Sequence, residues 1–116
     1  MNTTIIKESE WCRGQKTSAL LLHDHTKCCL GFDALRRGFT EEEILEIPTP
    51  EGLPHDDRLD GLVYDYSDEY GEHLNDNSTV NDIVRVNDNA TLTDDERKTQ
   101  LIALFLKLDT ELVFVP

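Results

Sequence analysis

The sequence predicts one small α+β domain over residues 1–116, with three or four helices packed on a two- to three-stranded sheet. Three observations point there. Two capping-box patterns, Thr40-x-x-Glu43 and Thr93-x-x-Glu96, each open a stretch of helical character. Two short apolar runs, one ending at Leu22 and one at Val115, have the length of buried strands. The chain has 116 residues, 38% of them hydrophobic, which is enough for one modest core and too little for two.

Residues 1–15 read as polar, with Trp11 the large anchor ahead of Arg13-Gly14. Thr17-Ser18-Ala19-Leu20-Leu21-Leu22 reads as a strand, closed by the polar turn His23-Asp24-His25-Thr26-Lys27. From Cys28, apolar residues recur at helical spacing (Cys28, Phe32, Leu35), and Gly38 stands where a helix end places a left-handed residue. Arg36 and Arg37 fall in the last turn, where cations complement the helix dipole. A second helix runs from Thr40 to about Ile47, because Pro48 and Pro50 stop it.

Residues 48–78 form an acidic Pro/Gly/Asp-rich loop region, interrupted by a short strand at Leu62-Val63-Tyr64 with Tyr66. Val80, Ile83 and Val84 place one face of a helix over 79–87, capped by Ser78 or Thr79. The helix opened by Thr93 runs from about Asp94 to Lys107, polar at first and almost wholly apolar after Gln100. Its N-terminal end belongs in solvent and its C-terminal end in the core. Leu112-Val113-Phe114-Val115 closes the chain as a strand.

The net charge is −13, and its distribution is uneven. Residues 1–47 carry eight acids and six bases, and residues 97–116 carry two acids and three bases. Residues 48–96 carry fourteen acids against Arg58 and Arg85 alone, a net of −12. Such a stretch repels nucleic acid and anionic lipid and attracts basic surfaces. No stretch reads as a targeting or membrane-spanning element, so a cytoplasmic location is expected.

Cys12, Cys28 and Cys29 are an odd set with a vicinal pair, a poor disulfide framework. They are expected to be reduced, metal-free and structural. A small zinc domain using Cys12, His25, Cys28 and Cys29 is the alternative, although its ligands crowd into one turn and lack the two spaced pairs of structural zinc sites. Cys28 near His25 meets part of what a nucleophilic cysteine needs, but no nucleophile elbow or phosphate loop accompanies it. Asp65-x-Ser67-x-Glu69 starts like a calcium loop, yet Tyr70 occupies the glycine position. No cofactor is expected.

The residues favoured for binding are therefore the acids and tyrosines of the middle: Asp56, Asp57, Asp60, Tyr64, Asp65, Tyr66, Asp68, Glu69, Glu72 and Asp76. Spaced carboxylates can imitate the phosphates that a Lys/Arg groove expects, and tyrosines anchor interfaces.

The order Trp11-x-Arg13-Gly14, Lys27-Cys28-Cys29-Leu30-Gly31-Phe32, Val86-Asn87-Asp88 and Glu96-Arg97 resembles a family of small uncharacterised proteins of tailed bacteriophages and prophages. The likeness runs from about Trp11 to Val115 and is most specific at Cys28–Phe32. It implies a phage setting and no catalytic residue. His23, His25 and the acidic stretch 51–76 lie outside its pattern. The expectation is a phage-encoded, non-enzymatic protein that inhibits a host defence or nucleic-acid enzyme through its acidic surface.

Overall fold

The computed structural model describes residues 1–14, 19–22, 24–54, 56–59 and 78–116. Among them the fold is α+β. Strand β1 (Asn2–Lys7) is followed by helices α1 (Cys29–Arg36), α2 (Glu41–Ile44), α3 (Ser78–Asp88) and α4 (Asp94–Leu106), and strand β2 (Thr110–Val115) completes the order. β1 and β2 form a two-stranded parallel sheet, with Thr4 opposite Leu112 and Ile6 opposite Phe114. α1 packs against β1, and α4 packs against both β2 and α3. No helix among the described residues is long and apolar enough to cross a membrane.

The polar N-terminal stretch, to which the sequence assigned no element, forms strand β1. Its sequence, Asn-Thr-Thr-Ile-Ile-Lys, alternates in burial: Thr4 and Ile6 face the core, while Thr3, Ile5 and Lys7 face out. Thr4 tolerates the interior because its hydroxyl is fully used. It donates to Asp33 Oδ1 at 2.8 Å and accepts from Arg36 Nε at 2.7 Å. The polarity that disguised the strand is thus part of what holds it.

Between Ala19 and Leu22 the expected strand reduces to one parallel bridge, Leu21 with Leu45. The backbone there is committed elsewhere: Leu20 N–H donates to Ile47 C=O, and Ala19 C=O accepts from Cys28 N–H. Residues 15–18 and the expected strand at 62–66 lie outside the described residues.

α1 starts with Cys28 as its N-cap residue, and Cys29 through Ala34 are all buried. Gly31 is required at its place: a Cβ there would stand 1.8 Å from the carbonyl oxygen of Leu20. The helix ends in a Schellman motif. Gly38 adopts φ +102°, its N–H donates to Leu35 C=O, and Phe39 N–H donates to Ala34 C=O. Arg36 and Arg37 do more than complement a dipole, since both bind the buried carboxylate of Asp33 at 2.9 and 2.7 Å.

Both capping boxes form as expected, Thr40 with Glu43 and Thr93 with Glu96. α2 is shorter than expected. Leu45 turns extended to bridge Leu21, and Glu46 takes φ +61°, so the helix ends before Pro48 can stop it. α4 corrects the picture of a buried C-terminal end. Its buried residues are Arg97, Leu101 and Phe105, one stripe at four-residue spacing, while Ile102 and Leu106 remain exposed. Arg97 sits in the interior because it clamps the turn before its own helix. It donates to Asn89 C=O at 2.6 Å, to Leu92 C=O at 3.1 Å and to Asp94 at 2.6 Å.

Candidate functional site

Of the residues favoured for partner binding, Asp56 and Asp57 are placed by the structure, on either side of the start of a 3-10 turn at Asp57–Leu59. Asp60, Tyr64, Asp65, Tyr66, Asp68, Glu69, Glu72 and Asp76 lie outside the described residues. Leu59 is fully buried and pins the turn to the core, so Asp57 and Arg58 emerge at the surface beside α2.

Arg58 organises this surface. Its Nε and Nη2 donate to the two carboxylate oxygens of Asp56 at 3.0 and 2.7 Å. Nη1 and Nη2 also donate to Glu43 at 3.0 and 3.1 Å, and Nη1 reaches the carbonyl of Gly38 at 3.2 Å. The guanidinium stacks 4.0 Å from the centre of the Phe39 ring. Bidentate pairing to two carboxylates leaves the planar fork little freedom. The Arg58 carbonyl in turn accepts from Arg37 Nη1 at 3.1 Å, and Arg37 binds buried Asp33. The acidic turn is thereby tied through two arginines to α1.

These contacts set the electrostatics. The hydrogen bonds from Arg58 hold the Asp56 carboxyl at about 2, and the same guanidinium holds Glu43 below the usual carboxylate range. One arginine thus neutralises part of two carboxylates; Asp57 is exposed on the same turn, and Glu41 and Glu42 are exposed on α2, where they line a groove with Leu22 and His25. Sequence reading separated α2 from the acidic stretch. The structure joins them, because Glu43 and Asp56 share one arginine.

The cysteines and His25 are placed differently. Cys12, Cys28 and Cys29 are unbridged and buried, whereas His25 lies exposed on a turn with φ +70°. Burial pushes the Cys28 thiol up to about 12 and raises Cys12 and Cys29 as well. Among the described residues, no three His, Cys, Asp or Glu side chains come together as a metal-holding group.

Two polar centres escaped sequence reading. Asn87 is buried and connects α3 to the N-terminal segment. Its Oδ1 accepts from Trp11 Nε1 and from Cys29 N–H, and its Nδ2 donates to Cys12 C=O at 3.0 Å. Asp33 is the second, buried under Thr4, Arg36 and Arg37. The signal available for Asn87 was a polar residue in register with Val80 and Ile83 on the buried face of α3. Asp33 offered only its spacing from Arg36 and Arg37.

Comparison with protein-family models, with curated proteins and with solved structures finds no match to this chain. What the described surface can do chemically is present fixed carboxylates to a cationic partner.

Proposed function

We propose that the chain is a non-enzymatic binding protein of bacteriophage type that engages, and inhibits, a host protein through its acidic surface. The observation that carries this reading is the Arg58 cluster: the fold anchors the start of the acidic stretch and sets it beside the exposed carboxylates of α2. Arg58 fixes the backbone of the turn against α2, so the exposed Asp57, Glu41 and Glu42 project from anchored positions. In sequence, the stretch 48–96 that contains this turn carries fourteen acids against two bases. The partner's matching surface is a basic groove of the kind that takes nucleic-acid phosphates, and the cytoplasm of the host cell is where such a partner works.

A non-enzymatic role is supported by the state of the thiols. Deep burial raises Cys28 and Cys29, which holds them protonated and away from nucleophilic chemistry.

The experiment is capture of a partner from bacterial lysate, followed by affinity measurements on the purified pair at low and high salt. Salt weakens the complex, mainly through a slower on-rate. Reversal of the exposed acids Glu41, Glu42 and Asp57 to Lys weakens binding while the melting temperature holds. Asp56 and Glu43 are unsuitable for that test, because losing either disturbs Arg58. Binding that ignores both salt and the triple reversal would overturn the proposal.

A further inference from the structure

The outer side of α4 carries an apolar surface that the core does not use. Ile102 is 37% and Leu106 48% exposed, and Ala103 is exposed between them. At 3.6 residues per turn, Thr99, Ala103 and Leu106 lie opposite the buried stripe Leu101 and Phe105, with Ile102 beside them. This surface runs into a groove of about 370 Å³ between α3 and α4, where Val86, Ala103 and Leu104 form the walls. Asp82 and Arg85 of α3, Gln100 of α4 and Lys107 at the C-terminal end of α4 supply its polar lining.

On the exposed side of α4 the charges not already paired divide between its ends, since Arg97 is buried and Lys98 pairs with Glu8. Asp95 and Glu96 are exposed in its first turn, and Lys107 caps its last. Glu96 and Lys107 are about three helical turns apart and lie on the same flank of the helix, the flank that borders the groove. An antiparallel neighbour related by a two-fold axis brings like flanks together and opposite ends together. With the axis crossing α4 near residues 101 and 102, Lys107 of one copy meets Glu96 of the other, and the reverse pair forms by symmetry. The side chain of Leu106 then lies over Thr99 of the second copy, and the small Ala103 side chains permit close approach. The face therefore contains both halves of its own complement.

We propose that this face docks a second copy of the chain, α4 against α4, as an antiparallel two-fold dimer. One helix pair with its flanking groove is smaller than a standard interface of about 1,600 Å². The dimer is accordingly weak and dissociates on dilution. Each copy carries a net charge of −13, so long-range repulsion opposes association and moderate salt strengthens it. That sign is opposite to the salt response of the acidic surface, which makes the two interactions separable.

Sedimentation equilibrium of the full chain over a wide range of concentration and salt tests the proposal. The mass rises from the 13.3 kDa monomer toward twice that value, and less protein is needed at moderate salt than at low salt. Leu106→Lys and Lys107→Glu each weaken association roughly tenfold or more, a change that one lost interfacial anchor or ion pair produces. Combining Lys107→Glu with Glu96→Lys restores it, although loss of the Thr93 capping box lowers the melting temperature of that variant without unfolding it, and Ile5→Lys, at an exposed position of β1, leaves it unchanged. Melting temperatures establish that every variant is folded. A 13.3 kDa species under all conditions would overturn the proposal, as would failure of the charge swap to restore association or its loss in Ile5→Lys alone. A monomer whose Leu106→Lys variant loses a captured host partner would also overturn it, and would assign the face to that partner.

Discussion

The side-chain oxygen of Asn87 accepts the indole N–H of Trp11 at 2.9 Å across 76 residues of sequence, and both groups are buried. That single bond fastens the end of α3 to the segment between β1 and α1. Neither residue can be relieved by water, so each depends on the other.

Asn87→Ala should therefore be costly. It strands the Trp11 and Cys29 N–H groups and the Cys12 carbonyl together, at about 1–3 kcal/mol for each buried group left unpaired. The expected loss is roughly 3–5 kcal/mol after partial relaxation. Chemical denaturation measures it, and a loss under about 1 kcal/mol would mean that water reaches the site.

Gly31→Ala tests the contact between α1 and the segment before it. The added methyl cannot sit 1.8 Å from the Leu20 carbonyl, so backbone must move. Overpacking of this kind costs about 3 kcal/mol, against the gain an exposed helical Gly→Ala change would bring. A stabilised variant would show that Leu20 does not approach the helix so closely.

The stripe on α4 makes a graded prediction. Phe105→Ala and Leu101→Ala remove fully buried side chains and should cost roughly 3–5 and 2–5 kcal/mol. Leu104 is half-buried and should cost less, while Ile102→Ala should stay within about 0.5 kcal/mol under dilute, monomeric conditions. Equal losses at Ile102 and Leu101 would refute the assignment of faces.

Asp56 gives a pH prediction. Its folded pKa of about 2 lies below the ordinary 3.8, so its contribution to stability is present above 3.8 and is lost as pH falls through about 2. Its exposure keeps that contribution small. Carbon-detected titration should place the Asp56 midpoint near 2, and Arg58→Ala should return it toward 3.8. A midpoint that ignores the arginine would dissociate Arg58 from the acidic turn.

Sequence reading succeeded where structure is local. The capping boxes of Thr40 and Thr93 and Gly38 past the end of α1 depend on neighbours within a few residues, and β2 shows in its own run of β-forming residues although its partner is distant. It failed where burial is decided at long range. β1 looked polar because the reason Thr4 can be buried, Asp33 with Arg36, lies some thirty residues away. The apolar run 101–106 looked uniformly internal because composition does not say which side of a helix meets the sheet. For the candidate site, the acidic bias was plain, but its anchor was not. Arg58 reads in sequence as one of two bases among fourteen acids, and only the fold brings Glu43 to it.

The parallel pairing of β1 with β2 joins residues 2–7 to residues 110–115. The strand that pairs with β1 among the described residues lies more than a hundred residues away along the chain. Ile6 meets Phe114 only when the two ends of that long loop come together. Closing so long a loop is entropically slow, and the sheet is expected to zip last, after the helices have gathered. Until then the backbone edge of β1 is unpaired and Ile6 uncovered, a window in which chaperones or other chains can reach it. Premature termination anywhere before Thr110 leaves β1 permanently in that state, so such fragments should be cleared by proteolysis instead of accumulating as partly active protein.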